Sequence, residues 1–211
     1  RELKVRHETD VLVAGGGPAG VAAALAAARQ GASVRLVEAQ GCLGGMGTAG
    51  LVPAFMQFTD GVNFLAGGIG REILDALRAA DGTVPPDGMG IRAETLKRVY
   101  DTLLTEAGVA FTFHTQLIDV TLAADGRVGE AICAAKSGLH AVRARMFVDC
   151  TGDGDLAARA GAAFEKGDAE GRMMPGTLCS LWAGIDWETV GKSGLGAGNS
   201  RIEEAFKDGV F

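Results

Sequence analysis

Gly15-Gly16-Gly17-Pro18-Ala19-Gly20 sets out its glycines in the order G-x-G-x-x-G. The run follows an apolar stretch, Asp10–Ala14, and opens a segment in which Val21, Leu25 and Ala28 recur at helical spacing up to Gly31. Such a turn suits a dinucleotide. Gly15 permits a tight bend, Gly17 lets backbone approach a pyrophosphate, and Gly20 lets helix and strand pack closely. Pro18 fits a first helical turn, whose free N–H groups and positive end attract phosphate. Eighteen residues after Gly20, Glu38 ends the next apolar run, placed to accept hydrogen bonds from ribose hydroxyls. A carboxylate there opposes a 2′-phosphate: like charges roughly 4 Å apart at an effective dielectric of 20 repel by about 4 kcal/mol. NADP is therefore disfavoured, and FAD and NAD remain.

Three features favour FAD. The fingerprint stands at the start of the chain. A second cluster, Gly44-Gly45-Met46-Gly47-Thr48, follows Glu38 within ten residues and is placed to line the pyrophosphate and ribityl chain. An antiparallel meander also interrupts the parallel pattern where a simple NAD domain would continue it. Gly152-x-Gly154-x-x-Ala157 imitates a second fingerprint, but no strand with a terminal acid follows about twenty residues on. A separate NAD site is not expected.

The elements that position these residues read as α/β. Asp10–Ala14 and Ser33–Glu38 are strands around the first helix, a β-α-β unit with a right-handed crossover. Residues 39–70 form a long glycine-rich connection, the kind that is usually functional. Helices are predicted over Glu72–Ala80 and from Leu96 to Ala107, with a break at Pro85-Pro86-Asp87-Gly88 between them. Val109–Val120, Val128–Ala134 and His140–Val148 read as a three-stranded meander turning at Asp125-Gly126 and Ser137-Gly138. It returns to the parallel sheet at Met146–Cys150, and a short helix over Asp155–Ala160 follows. A last strand is predicted over Thr177–Ile185, and Trp187–Phe211 forms no independent core. The domain boundaries expected are 1–175 for the nucleotide-binding domain, with an insertion over 39–92, and 176–211 for the beginning of a substrate domain.

Composition narrows the partners. A net charge of −6 and a pI near 5.1 exclude the clustered cations that nucleic-acid binding needs. No long uncharged apolar run suggests a membrane span. Cys42, Cys133, Cys150 and Cys179 form no C-x-x-C pair and no metal set, so no metal is expected. All four are expected as buried, reduced thiols of a cytoplasmic protein. His7 is expected at the surface, and His114 and His140 on polar strand faces.

The residues resemble the FAD-dependent oxidoreductases of the glutathione-reductase-like Rossmann superfamily, and within it the branch known simply by that description. The resemblance rests on DVLVAGGGPAG (10–20), GCLGGMGTAG (41–50), AGGIGREILDALR (66–78), ETLKRVYDTLLTEAGV (94–109), VDCTGDGDLAARAGA (148–162) and MPGTLCSLWAGID (174–186). It implies a Rossmann-like FAD-binding domain: a parallel sheet plus a three-stranded antiparallel meander, then the start of a second domain. It also implies an oxidoreductase moving hydride between a small-molecule substrate and FAD. Glu38 and Ala39 would meet the ribose, Gly45 to Thr48 the phosphates and ribityl, and Gln116-Leu117 the adenine. Thr151-Gly152-Asp153 would close over the nucleotide. Two departures refine this. Flavin disulfide reductases carry C-x4-C here, yet Gly47 stands five residues after Cys42, and residues 39–63 hold no histidine for a covalent flavin. FAD is expected noncovalent, and no catalytic residue is assigned.

Gly194-Leu195-Gly196-Ala197-Gly198 lacks the strand and acid of the glycine-rich return that related flavoproteins make to the flavin. A sheet partner for Thr177–Ile185 is accordingly expected from a missing C-terminal portion or from another copy in a homo-oligomer. The alternatives are an NAD-binding dehydrogenase or thiazole-type synthase, and a non-catalytic dinucleotide-binding subunit.

Overall fold

A computed structural model describes residues 3–56, 58–84, 89–186, 188–189 and 207–209. It divides into two units, residues 1–179 and 180–211. The break at Pro85–Gly88 and the glycine run at 194–198 lie outside the described residues.

Eight strands and four α-helices make up the described part of the first unit: β1 (Val5–Ala14), α1 (Pro18–Arg29), β2 (Val34–Val37), α2 (Ile69–Ala79), β3 (Thr83–Val84), β4 (Gly90–Ile91), α3 (Ala93–Glu106), β5 (Ala110–Thr112), β6 (Thr115–Leu122), β7 (Val128–Ala135), β8 (Gly138–Asp149) and α4 (Asp155–Arg159). A six-stranded sheet runs in the order β5-β2-β1-β8-β7-β6, while β3 and β4 form a separate short hairpin. Contacts β5–β2, β2–β1 and β1–β8 are parallel, and β8–β7 and β7–β6 are antiparallel.

Both faces of the central strand are covered, which explains its continuous apolar run. Leu12, Val13 and Ala14 are all fully buried. Val13 packs with Val21, Leu25, Leu36, Leu77, Leu96 and Tyr100 under α1, α2 and α3. Leu12 and Ala14 pack on the other face with Leu117, Ala131, Cys133, Val142 and Leu156. Each fully buried leucine in these layers contributes about 1.5–3 kcal/mol. α2 puts Ile73, Leu74 and Leu77 inward, and α3 puts Leu96, Val99, Tyr100 and Leu104 inward, as their spacing predicts. Burial pushes the Tyr100 hydroxyl up to about 12.

Several expectations need correction. The run from Val109 to Val120 is two strands: β5 pairs with β2, whereas β6 pairs with β7 at the far edge. His114 stands between them with φ of 49°, so it lies in a bend and not on a strand. His140 is buried at 5% exposure, its Nδ1 without a hydrogen-bond partner among the described residues and its ring edge-on to His7. Desolvation holds the His140 pKa below its ordinary value, so that an uncharged ring fits this site. His7 is half-buried. All four cysteines are free, but only Cys133 is buried, and burial pushes its thiol up to about 11. Residues 177–185 form no strand. Leu178, Leu181 and Trp182 are exposed there, because an extended segment without a ladder partner buries neither face.

Candidate functional site

Parallel topology fixes where a site can form. β1, β2 and β8 end in register at Ala14, Val37 and Asp149. The chain leaves β1 toward β2 on one side, and β8 lies on the other, so a crevice opens beyond their carboxyl ends. A cleft of about 420 Å³ occupies that position. Its size falls within the usual range for a small-molecule site.

The first wall is the turn from β1 into α1. Gly15 has φ of 96°, and a side chain there would collide with the Cys150 carbonyl. Any side chain at Gly20 would collide with the Gly15 carbonyl. Gly17 differs from both: a Cβ added to it meets nothing within 4 Å and would stand in the cleft. Pro18 occupies the first turn of α1, no side chain caps that end, and no acid lies in its first turn. The terminal N–H groups thus remain available to an anion.

Glu38 holds this turn in place. It is only 8% exposed. Its Oε2 accepts the Gly16 N–H at 2.6 Å and its Oε1 accepts the Gln40 N–H at 2.6 Å. Each oxygen keeps a further acceptor position. Gly16 in turn accepts the Gly44 N–H at 2.8 Å, clamping the second glycine cluster onto the first. A Cβ on Gly45 would lie 3.1 Å from the Gly17 Cα, so the two clusters face each other closely.

The remaining walls come from β6 and the loop after β8. Gly15, Gly17, Pro18, Ala19, Glu38 and Ala39 line the cleft, together with Gly45 and Met46, Gln116 and Leu117, and Thr151 and Gly152. Gly16, Gly20, Gly44, Gly47 and Thr48 do not line it; they support it. Thr48 is buried and donates to the Leu43 carbonyl at 2.6 Å, while a Cβ added at Gly47 would lie 3.3 Å from Leu96 and 3.5 Å from Ile91. Asp153 is exposed and outside the lining. Val37, Thr115, Cys150 and Asp155 also line the cleft without having been expected. Position alone could have found Val37, Thr115 and Cys150, which adjoin Glu38, Gln116 and Thr151, whereas Asp155 stands two residues beyond Asp153. Burial and the adjacent Asp149 carboxylate push the Cys150 thiol up, which argues against a thiolate nucleophile.

A larger groove of about 760 Å³ lies at the other end of the strands, between Asp10, Gln30 and Arg127. Its charges pair with one another, Arg145 with Asp10 and Arg127 with Asp125, and it has no open helix N-terminus. The smaller cleft is therefore the candidate site. Among the described residues no three His, Cys, Asp or Glu side chains gather as a metal site, and no helix is long and apolar enough to cross a membrane.

Comparison with known proteins follows the same lines. The family described as FAD dependent oxidoreductase matches residues 10–208. A digeranylgeranylglycerophospholipid reductase 2 of Methanopyrus kandleri is 31% identical over 155 residues, which are 69% of this chain and 38% of that protein. The chain thus spans well under half the length of this curated relative. Among solved structures, the flavin-dependent brominase Bmp2 superposes with a TM-score of 0.55 at 20% identity, over 73% of this chain and 40% of the other. THI4 of Thermovibrio ammonificans gives 0.52 at 22% identity, over 72% and 61%. These two likenesses establish the fold.

Proposed function

The chain belongs to the FAD dependent oxidoreductase family, and from that membership we propose that it is the part of the enzyme that holds FAD noncovalently while hydride passes between a small-molecule substrate and the flavin. One observation supports this reading: an uncapped helix N-terminus beside a glycine turn in which Gly17 leaves room for a ligand, with a buried carboxylate at the end of the adjacent strand.

The residues fit the cofactor in the following roles. The N–H groups at the start of α1 and the backbone of Gly17 bind the pyrophosphate, which Gly45 and Met46 flank toward the ribityl chain while Gly47 and Thr48 support them from behind. Glu38, beside Ala39, accepts from the ribose hydroxyls through its remaining acceptor positions. Gln116 and Leu117 meet the adenine, and Thr151 and Gly152 cover the nucleotide, with Asp153 at the outer edge. When bound, the isoalloxazine supplies the two-electron chemistry. The chain's own residues bind and orient, and no described side chain is assigned as a catalytic acid or base.

The substrate-facing half is proposed to come from polypeptide corresponding to the rest of the relatives' length, or from a second copy of the chain. Residues 1–175 then form the nucleotide domain and 176–211 begin the substrate domain. Met46, at the cleft, is 68% exposed, and Leu51, Met56, Val62 and Leu65, later in the same connection, are exposed as well. These exposed apolar side chains favour an apolar substrate, as the name of the phospholipid reductase also suggests. Four free cysteines support a cytoplasmic location.

A visible spectrum of the purified protein tests the reading. Two flavin bands, with the colour released into solution by acid, are expected. A colourless protein that takes up neither FAD nor ADP in a titration would overturn it.

A further inference from the structure

A continuous chain of hydrogen bonds runs from the end of β8 to β6. Asp149 Oδ1 accepts the Thr151 N–H at 3.0 Å and the Thr151 hydroxyl at 2.7 Å, and its Oδ2 accepts the Ala157 N–H at 2.8 Å. Thr151 Oγ1 accepts the Asp155 N–H at 2.7 Å. Asp155 Oδ1 accepts from Arg159 Nη1 at 2.9 Å, and Arg159 Nε donates to the Ile118 carbonyl at 2.6 Å. The two ends of this chain belong to different elements that both line the cleft: Thr151, Gly152 and Asp155 from the loop after β8 and the start of α4, and Gln116 and Leu117 from β6.

Ile118 is not an ordinary strand position. Pairing of β6 with β7 passes from Leu117–Cys133 to Asp119–Ile132, so Ile118 is a bulge on the edge strand of the sheet. A bulge re-aims the residues beside it and leaves a backbone group to be satisfied elsewhere. Arg159 satisfies it. The planar guanidinium suits this task, because Nε and Nη1 donate in fixed directions to two different acceptors. Leu156, one turn earlier on α4, shares a core cluster with Leu117 and sets the depth at which α4 sits. The Arg159 bonds then set its lateral position.

The end of the cleft affected is also defined. The Glu38 carbonyl accepts the Thr115 N–H at 2.9 Å, so β6 begins beside the proposed ribose site and runs on to where the base would lie. Resting on the FAD reading above, we propose that Arg159 is a positioning residue for the nucleotide: it ties α4 to the β6 bulge and fixes the width of the cleft around the adenosine. Holding both walls in the bound spacing before the ligand arrives removes an ordering cost from binding.

Calorimetric titration of the full chain with ADP and with FAD tests this in wild type, R159Q and R159K. R159Q is expected to weaken both ligands by the same factor, roughly tenfold, with most of the change in the dissociation rate. R159K is expected between R159Q and wild type, since an ammonium retains the charge without the planar fork. The melting temperature of the nucleotide-free protein should move little, because the pair with Asp155 is partly exposed. Unchanged ADP affinity in R159Q overturns the proposal, as does an affinity loss that merely follows a large fall in melting temperature. Should R159Q not fold, an R159K affinity equal to wild type overturns it. Wild-type protein that binds neither ADP nor FAD is a separate result and refutes the FAD reading itself.

Discussion

Replacing Glu38 by alanine separates two tasks that one carboxylate performs. In the ligand-free protein it accepts two backbone N–H groups, Gly16 and Gln40, each at 2.6 Å, at a site 8% exposed. The Gly16 donor is buried and would be left without an acceptor, which costs about 1–3 kcal/mol. Water reaches the half-buried Gln40 donor more easily, so its share is smaller. The sum is roughly 2–4 kcal/mol against a total stability of about 5–15 kcal/mol. The protein should therefore still fold, with its melting temperature lower by roughly 5–15 °C at a domain size near 180 residues. Loss of the ribose hydrogen bonds should separately weaken ADP by about 10–100-fold, measured calorimetrically well below the melting transition. Glu38→Gln should fall between, since its amide keeps one acceptor and turns a donor toward the other N–H. A Glu38→Ala protein that melts within about 2 °C of wild type would show that the two N–H bonds carry no weight. Full ADP affinity in the same protein would remove Glu38 from the site.

Gly17→Val should melt like wild type but retain no flavin, because its Cβ meets no described protein atom within 4 Å beyond its chain neighbours and the side chain extends into the cleft; stoichiometric flavin in the purified variant would contradict this. Gly20→Ala should instead fail to fold, since its Cβ runs into the Gly15 carbonyl, and a soluble protein of normal melting temperature would refute that packing. Asp101, on α3, has its Oδ1 buried without a partner among the described residues, and burial raises its pKa. With the folded value above the unfolded one, its contribution to stability is full in acid and is lost as pH rises through the raised value. Asp101→Asn should thus raise the melting temperature at neutral pH and change it little below about pH 3.9, whereas an equal shift at both would count against it.

What could be read from the sequence was whatever local chemistry dictates. The G-x-G-x-x-G turn admits few backbone paths, and Gly15 and Gly20 sit where a side chain would strike backbone, so residue type alone located the turn. α2 and α3 declared themselves by period, and β1 by an apolar run that both faces of a buried strand require. The split of Val109–Val120 was not legible, because no glycine or proline marks it. The turn is made by His114 in a left-handed conformation, held by its N–H to the Gln40 carbonyl, and by Thr115 bonding to Glu38. Those partners lie more than seventy residues away and enter only through tertiary structure. His140 was misread for a related reason: a polar residue at a strand position was taken to face water, whereas its partner strand places it against Cys133 inside the meander. The Glu38 carboxylate shows the same limit within the site. Spacing from Gly20 marked it as a ribose ligand, yet spacing carries no information about the Gly16 and Gln40 N–H groups that it also holds. Neither does it reveal that Arg159, on a helix of five residues, reaches a bulge at Ile118. Motif spacing names the residues that a ligand would touch. The groups that keep those residues at the right distance come from β6 and α4, and they became visible only once the fold packed the two together at the cleft.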